Sequence, residues 1–135
     1  MFEPGEVYRR RDLHARFSGQ NQGGISTPRE HPYVFLFTGD SGEQYGYKDG
    51  WQPDGTYRYT GEGQLGDMQF LRGNRAIRDH QKEGRELHLF QKTETKGYVR
   101  HLGQFELVDY ELVENVPDRM QRSRIAIVFK LARVD

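Results

Sequence analysis

The last third of the chain constrains the fold most. From Leu87 onward almost every segment is patterned as β-strand: Leu87-His88-Leu89-Phe90, then Tyr98 to Leu102 and Phe105 to Val113, joined through Gly103. Near the end, Ile125, Ile127, Phe129 and Leu131 recur at period two, which turns them to one face of a sheet. The apolar phase slips between Leu107 and Val108, and such a slip predicts a β-bulge. Upstream, Tyr33-Val34-Phe35-Leu36-Phe37-Thr38 is an unbroken apolar run between Pro32 and Gly39, as expected of a strand buried on both faces. Glycine at 16 of 135 positions, with little Ala or Leu, favours strands and turns over a helical bundle. Two short helices are expected. One covers residues 5–16, with Val7, Tyr8, Leu13 and Phe17 on a loose apolar face. The other runs from Arg75 to Glu83, capped by Asn74 and closed by Gly84. The expected class is α+β, mainly β: one domain over 1–135, a strongly curved sheet or small β-barrel with two helices.

Composition excludes several classes. With no cysteine, disulfides, thiolate metal sites and thiol nucleophiles are ruled out. No apolar run approaches the roughly 20 residues of a membrane span, and Met1-Phe2-Glu3-Pro4 lacks the layout of a signal peptide. A cytoplasmic setting with no membrane contact is the expectation. Twenty basic and twenty acidic residues give a formal net charge of zero, which argues against a nonspecific basic coat for nucleic acid but leaves room for a local basic face.

Chemistry concentrates between residues 44 and 64. Gln44-Tyr45-Gly46-Tyr47-Lys48-Asp49-Gly50-Trp51 and Thr56-Tyr57-Arg58-Tyr59-Thr60 read as two strands joined by the turn Gln52-Pro53-Asp54-Gly55. Five aromatic rings, several glycines and one carboxylate fall within this hairpin and the Gly61-Glu62-Gly63-Gln64 that follows. Ring faces beside polar groups on glycine-rich backbone suit a flat ligand with polar edges, such as a nucleobase. If Tyr47 and Tyr59 project toward one pocket, they can sandwich a base, with Asp49 accepting from the exocyclic amine of cytosine and Thr60 holding another edge. The plain alternative is a hairpin whose rings are core and whose glycines are turns.

Other signals are weaker. Gly61 to Gly66 fits G-x-G-x-x-G, but no crossover helix follows and Glu62 would repel a pyrophosphate, so a dinucleotide site is rejected. The five histidines have no metal-ligand spacing, and neither a metal nor a cofactor is expected. The amide-rich stretch Gln20-Asn21-Gln22, inside the loop Ser18–Pro28, is suited to reading base edges. Arg9 and Arg10, with Arg58, Arg72, Asn74 and Arg75, are the candidate contacts to a nucleic-acid backbone. An alternative is a small nucleic-acid or nucleoside hydrolase using Asp12, His14 and Glu62. Another is an RNA-binding module.

Tyr59-Thr60-Gly61-Glu62-Gly63-Gln64, followed by Gly73-Asn74-Arg75-Ala76-Ile77, resembles the SRA (SET and RING-associated) family. Tyr8-Arg9-Arg10, Gly23 to Pro28, Tyr45 to Trp51 and Gly66-Asp67-Met68 extend the likeness to the SRA-like domains of bacterial McrA-like, modification-dependent (type IV) restriction endonucleases. The resemblance implies a crescent-shaped barrel of the PUA-like superfamily. It also implies binding of double-stranded DNA carrying 5-methylcytosine, or 5-hydroxymethylcytosine, by flipping the base into an aromatic pocket. On this basis the pocket comprises Tyr47, Asp49, Trp51, Tyr59, Thr60, Gly61 and Gln64. Asp49 stands one place off the eukaryotic spacing, so Trp51 is an alternative member of the sandwich. Glu62 and Gln64 replace small residues of the eukaryotic motif. Under this reading the chain has no catalytic residues, and an HNH nuclease domain elsewhere in a full-length protein does the cutting.

Overall fold

The computed structural model describes residues 2–17, 24–39 and 49–134. Its elements are β1 (Val7–Arg9), α1 (Arg10–Phe17), β2 (Ile25–Ser26), β3 (Tyr33–Thr38), β4 (Gly50–Trp51), β5 (Tyr57–Thr60), α2 (Arg72–Asp79), β6 (Glu86–Lys92), β7 (Tyr98–Pro117) and β8 (Ser123–Val134). One mixed eight-stranded sheet runs in the order β2-β3-β6-β7-β8-β5-β4, and β1 pairs with β7 off that path. All described pairings are antiparallel except β3 with β6. The mainly β, two-helix architecture expected from the pattern is present. Among the described residues β2 and β4 end the sheet as separate edges, so the curved sheet does not close into a hydrogen-bonded barrel.

The apolar run of β3 is buried because the sheet is covered on both faces. Val34 and Leu36 point into an aliphatic core that also holds Leu87, Leu89, Ile77, Ile127, Phe129 and Leu131. Phe35 and Phe37 point the other way, into an aromatic core with Leu13, Phe90 and Val99, against which Phe2, Tyr8, Phe17 and Tyr33 pack. α2 supplies Ile77 to the first core and α1 supplies Leu13 to the second. Burying each large apolar side chain contributes about 1.5–3 kcal/mol, so a strand loaded on both faces is fixed in register.

β7 serves both cores in turn. Val99 lies in the aromatic core and Phe105 in the aliphatic one, although both are odd-numbered and would share a face of a regular strand. The register shift opposite Leu89/Phe90 changes the phase between them. Gly103 sits at this irregularity with φ 136°, where a side chain would be strained and its Cβ would meet Arg133 Nε at 3.1 Å. A second shift, between Leu107 and Asp109, is the bulge the sequence predicted.

Two expectations are corrected. Residues 5–16 do not form one helix: Val7–Arg9 pair with Tyr98–Arg100 as β1, and the helix begins at Arg10. Asn74 does not cap α2. The helix starts at Arg72 after Leu71, and Asn74 lies within it, 1% exposed. The residue type suited a cap, but its amide is drawn to a neighbouring loop.

Candidate functional site

The carboxylate and the hydroxyl of the sequence reading come together where β5 meets the segment entering β4. Asp49 Oδ1 accepts the Thr60 N–H at 2.8 Å. Burial pushes the Asp49 carboxyl up to about 6, and Thr60 offsets this in part. Thr60 Oγ1 is buried beside the same carboxylate, whose ionised form its hydroxyl favours, and among the described residues it makes no well-aligned hydrogen bond. A buried hydroxyl whose bonding is incomplete costs about 1–3 kcal/mol, and such groups are rare enough in folded proteins that each calls for an explanation. Together, a half-buried acid with a raised pKa and a buried, incompletely bonded hydroxyl present an acceptor and a donor–acceptor side by side. That pair can read the polar edge of a flat heterocycle.

Tyr59 forms part of the wall behind this pair. It is 3% exposed, and its O–H donates to Gly24 O (2.8 Å), with Phe37 O also near (3.2 Å). Burial holds its phenol well above the ordinary range. A ring this deeply buried can stack on a base only if what covers its face yields. Trp51 sits differently, half exposed, edge-on to Tyr57 (5.3 Å, 86°) and tilted against Phe105 (5.7 Å). Tyr47, Gln20, Asn21 and Gln22 lie outside the described residues.

The loop after Thr60 has almost no regular structure, yet it is braced along its length. Asn74 Oδ1 accepts the Glu62 N–H (2.8 Å), while its Nδ2 donates to Glu62 O (2.8 Å) and Gln69 O (3.0 Å). Glu62 Oε2 in turn accepts the Gly73 N–H of α2 at 3.0 Å. Gly61 must be glycine, because a Cβ there would lie 2.6 Å from Asn74 Oδ1. Buried Arg124 donates to Gly63 O (3.0 Å) and Gly66 O (2.9 Å). Asp118, in the β7–β8 turn, accepts from the N–H groups of Gly66, Met120 and Arg122 at 2.8–3.0 Å, bonds that lower its pKa. Gln64 accepts from Arg119 through both its side chain (3.0 Å) and its backbone carbonyl (2.8 Å). The sequence reading missed the Asp118–Arg124 braces. Asp118 at the head of a turn was their only signal, since an aspartate there caps backbone N–H groups.

The arginines divide by environment. Arg9 is exposed, and its guanidinium donates to Tyr98 Oη at 2.7 and 3.1 Å. Arg10 turns inward, stacked 3.7 Å over the Phe37 ring and donating to His14 Nε2 at 3.0 Å. Burial lowers its pKa. Arg75 is exposed and 3.6 Å from Asp79. Exposed Arg72 opens α2 with φ 51°, a left-handed conformation rare for a non-glycine residue. Arg58 is paired with Glu111 at 2.7 Å, in a groove it shares with Asp54, Asp109 and Lys130. Of the alternative hydrolase trio, Glu62 is bound to α2, while Asp12 lies two residues from His14 and so on another side of α1. No group of three His, Asp or Glu side chains among the described residues is placed to hold a metal.

A protein-family model described as "ScoMcrA-like, SRA domain" matches residues 4–135. A sequence comparison with curated proteins finds no match. Among solved structures, the sulfur-binding and SRA domains of ScoMcrA complexed with phosphorothioated DNA align over 99% of this chain and 40% of that one. The identity is 26% and the TM-score 0.76. The DNA recognition domain of the cytosine modification-dependent restriction endonuclease LpnPI aligns over 98% and 73%, with 14% identity and a TM-score of 0.74. The SUVH5 SRA domain in complex with hemi-methylated CG DNA aligns over 98% and 89%, with 20% identity and a TM-score of 0.69. The last two likenesses concern the fold. The chain spans less than half the length of the ScoMcrA structures it matches.

Proposed function

Since the chain belongs to the ScoMcrA-like SRA domain family, a family whose solved neighbours include complexes with modified DNA, we propose that it binds double-stranded DNA containing 5-methylcytosine or 5-hydroxymethylcytosine. The modified base is flipped out and read by Asp49 and Thr60. The observation that carries this reading is the Asp49–Thr60 pair, an acid with its carboxyl raised to about 6 beside a buried hydroxyl that makes no well-aligned hydrogen bond among the described residues. Asp49 accepts from the cytosine exocyclic amine, and the Thr60 hydroxyl completes its bonding on the same edge. Extrusion of a base costs a few kcal/mol, and stacking on Tyr59, with Tyr47 or Trp51 as the second ring, returns about 1–3 kcal/mol per base. A methyl group adds only about 0.8 kcal/mol by burial, so discrimination must come from a pocket that also penalises the bare base.

In this reading Asn74 acts through the loop it clamps, keeping Gly61 and Gln64 at the pocket edge. Exposed Arg9, Arg72 and Arg75 meet phosphates, and the amides of Gln20 to Gln22 are assigned to base edges, while Arg10 reaches a phosphate only by leaving the Phe37 ring. Arg58 is the weakest member of the set because Glu111 holds it. The domain would recognise DNA for a type IV restriction endonuclease of a bacterial cytoplasm, with an HNH nuclease domain in the same polypeptide making the cut. The test is a binding series on otherwise identical duplexes: unmodified, 5-methyl, 5-hydroxymethyl and phosphorothioated. Preference for the modified cytosines, lost in Asp49→Asn and Thr60→Val, supports the proposal. Equal affinity for all four duplexes, untouched by either substitution, refutes it.

A further inference from the structure

On another side of α1 from Arg10 and Phe37 lies a cleft of about 330 Å³, open to solvent and formed between the helix, β1 and β3. That volume falls within the range of small-ligand sites, about 300–1,000 Å³. Its floor is aromatic, formed largely by Phe2, Phe17 and Tyr33. Their rings meet as a corner: Phe17 and Tyr33 lie 5.5 Å apart at 82°, and Phe2 and Tyr33 6.0 Å apart at 68°. Tyr33 is also stacked with His31 and Phe35, and Arg16 lies over Phe17, so what these rings offer the cleft is their exposed edges, which can meet the face of a flat ring in an arrangement that π-systems favour.

The rim is charged and selective. Arg9, Asp12 and Arg16 line it, Asp12 and Arg16 one helical turn apart on α1 and Arg9 at the end of β1. Among the described residues, Arg16 makes no ion pair and its guanidinium rests 5.0 Å over the Phe17 ring. Arg9 is held in place by Tyr98. Two guanidinium groups suit a phosphate, and an exposed carboxylate between them in sequence suits an exocyclic amine.

We propose that this cleft is a second nucleotide-binding site: the face of an amine-bearing base meets the ring edges of the aromatic corner, Asp12 accepts from its amine, and Arg16 and Arg9 take its 5′-phosphate. The proposal rests on the DNA-binding reading only for the source of the nucleotide, which would be an unpaired or terminal residue of the strand engaged at Asp49 and Thr60. Arg10, over Phe37, and Arg16, over Phe17, then lie on different sides of α1.

Amide NMR titration of the chain with dCMP, dAMP, dTMP and deoxycytidine tests this. dCMP and dAMP should shift signals of Asp12, Arg16 and Tyr33, while dTMP, lacking the amine, and deoxycytidine, lacking the phosphate, bind several-fold more weakly. Arg16→Gln should weaken dCMP binding about tenfold, and Asp12→Asn should bring dCMP and dTMP to similar affinities. The same shifts should persist in Asp49→Asn, which separates this site from the one proposed above. Shifts confined to the surroundings of Asp49 and Thr60, shifts reproduced by inorganic phosphate alone, or no effect of Arg16→Gln would each overturn the proposal. So would a phosphotyrosine peptide that binds the cleft more tightly than dCMP, which would make it a protein-docking site.

Discussion

The two sides of the sheet are built from different chemistry and respond to acid in opposite directions. The side under α2 is aliphatic, with a carboxylate, Asp49, at its margin. The side under α1 is aromatic and encloses two histidines. His88 Nδ1 lies 3.0 Å from His101 Nε2, and His88 Nε2 lies 3.0 Å from Glu86 Oε1. With Glu86 ionised, His88 donates to it from Nε2, so His88 Nδ1 accepts from His101. His101 Nδ1 is buried near the Glu3 backbone and, among the described residues, makes no well-aligned hydrogen bond. Burial, reinforced by the neighbouring His88, lowers His101 to about 4, and burial also lowers His88. Phe2 covers the pair, with ring centroids 5.0 Å from His88 and 5.4 Å from His101. Similar burial therefore suppresses a positive charge on one side and a negative charge on the other.

The comparison can be broken most forcefully by removing aromatic bulk. Phe35→Ala, at a fully buried position of the aromatic core, should cost about 3–5 kcal/mol in urea unfolding and strip the packing from α1. A cost under about 1 kcal/mol would mean that this core can collapse around the gap. Asn74→Ala leaves the Glu62 N–H and two carbonyls without their partners, at about 2–4 kcal/mol. If the loop serves the pocket, affinity for modified duplexes falls by more than stability alone explains, as measured where the variant is fully folded.

The pH dependence sharpens the contrast. The folded-state pKa of His101 is depressed from 6.5 to about 4, so the unfolded chain binds the extra proton first. Stability is lost as pH falls from about 6.5 toward 4, by on the order of 2–3 kcal/mol. His101→Gln, which keeps a donor for His88, should remove most of that loss. Asp49 behaves in the opposite sense. Its folded-state value is raised from 3.8 to about 6, so its cost is absent below pH 4 and complete above about 7. Asp49→Asn, still able to accept from the Thr60 N–H, should gain on the order of 2 kcal/mol at pH 7.5 and almost nothing at pH 4. It should also lose preference for modified cytosine, since the amide presents a weaker acceptor. The smallest effect is expected from Arg58→Ala. Its ion pair with half-exposed Glu111 is worth under about 1 kcal/mol, and duplex affinity should change by less than twofold if that groove carries no DNA.

Much of the architecture was legible in local pattern. Period-two alternation marked β8, the apolar run marked β3, and the phase slip at Leu107 marked a real bulge. These signals are local because each strand must place its own side chains on a face that is buried. The parallel pairing of β3 with β6 was not legible, since nothing within either strand specifies a partner about 50 residues away. The same limit applied to Asn74. Its type suggested a helix cap, while its role depends on a loop twelve residues earlier in the chain.

The site shows the same division. The sequence by itself determined that Asp49, Tyr59 and Thr60 fall in one hairpin beside glycine-rich backbone, because a short turn between strands leaves little choice of neighbours. Only the tertiary structure decided that Thr60 Oγ1 is buried with no well-aligned hydrogen bond among the described residues, that Asp49 is desolvated enough to raise its pKa, and that Arg9 and Arg10, adjacent in the chain, face different surroundings. Spacing fixes which residues can meet. Desolvation and partner satisfaction depend on everything packed around them, and that is set by the whole fold.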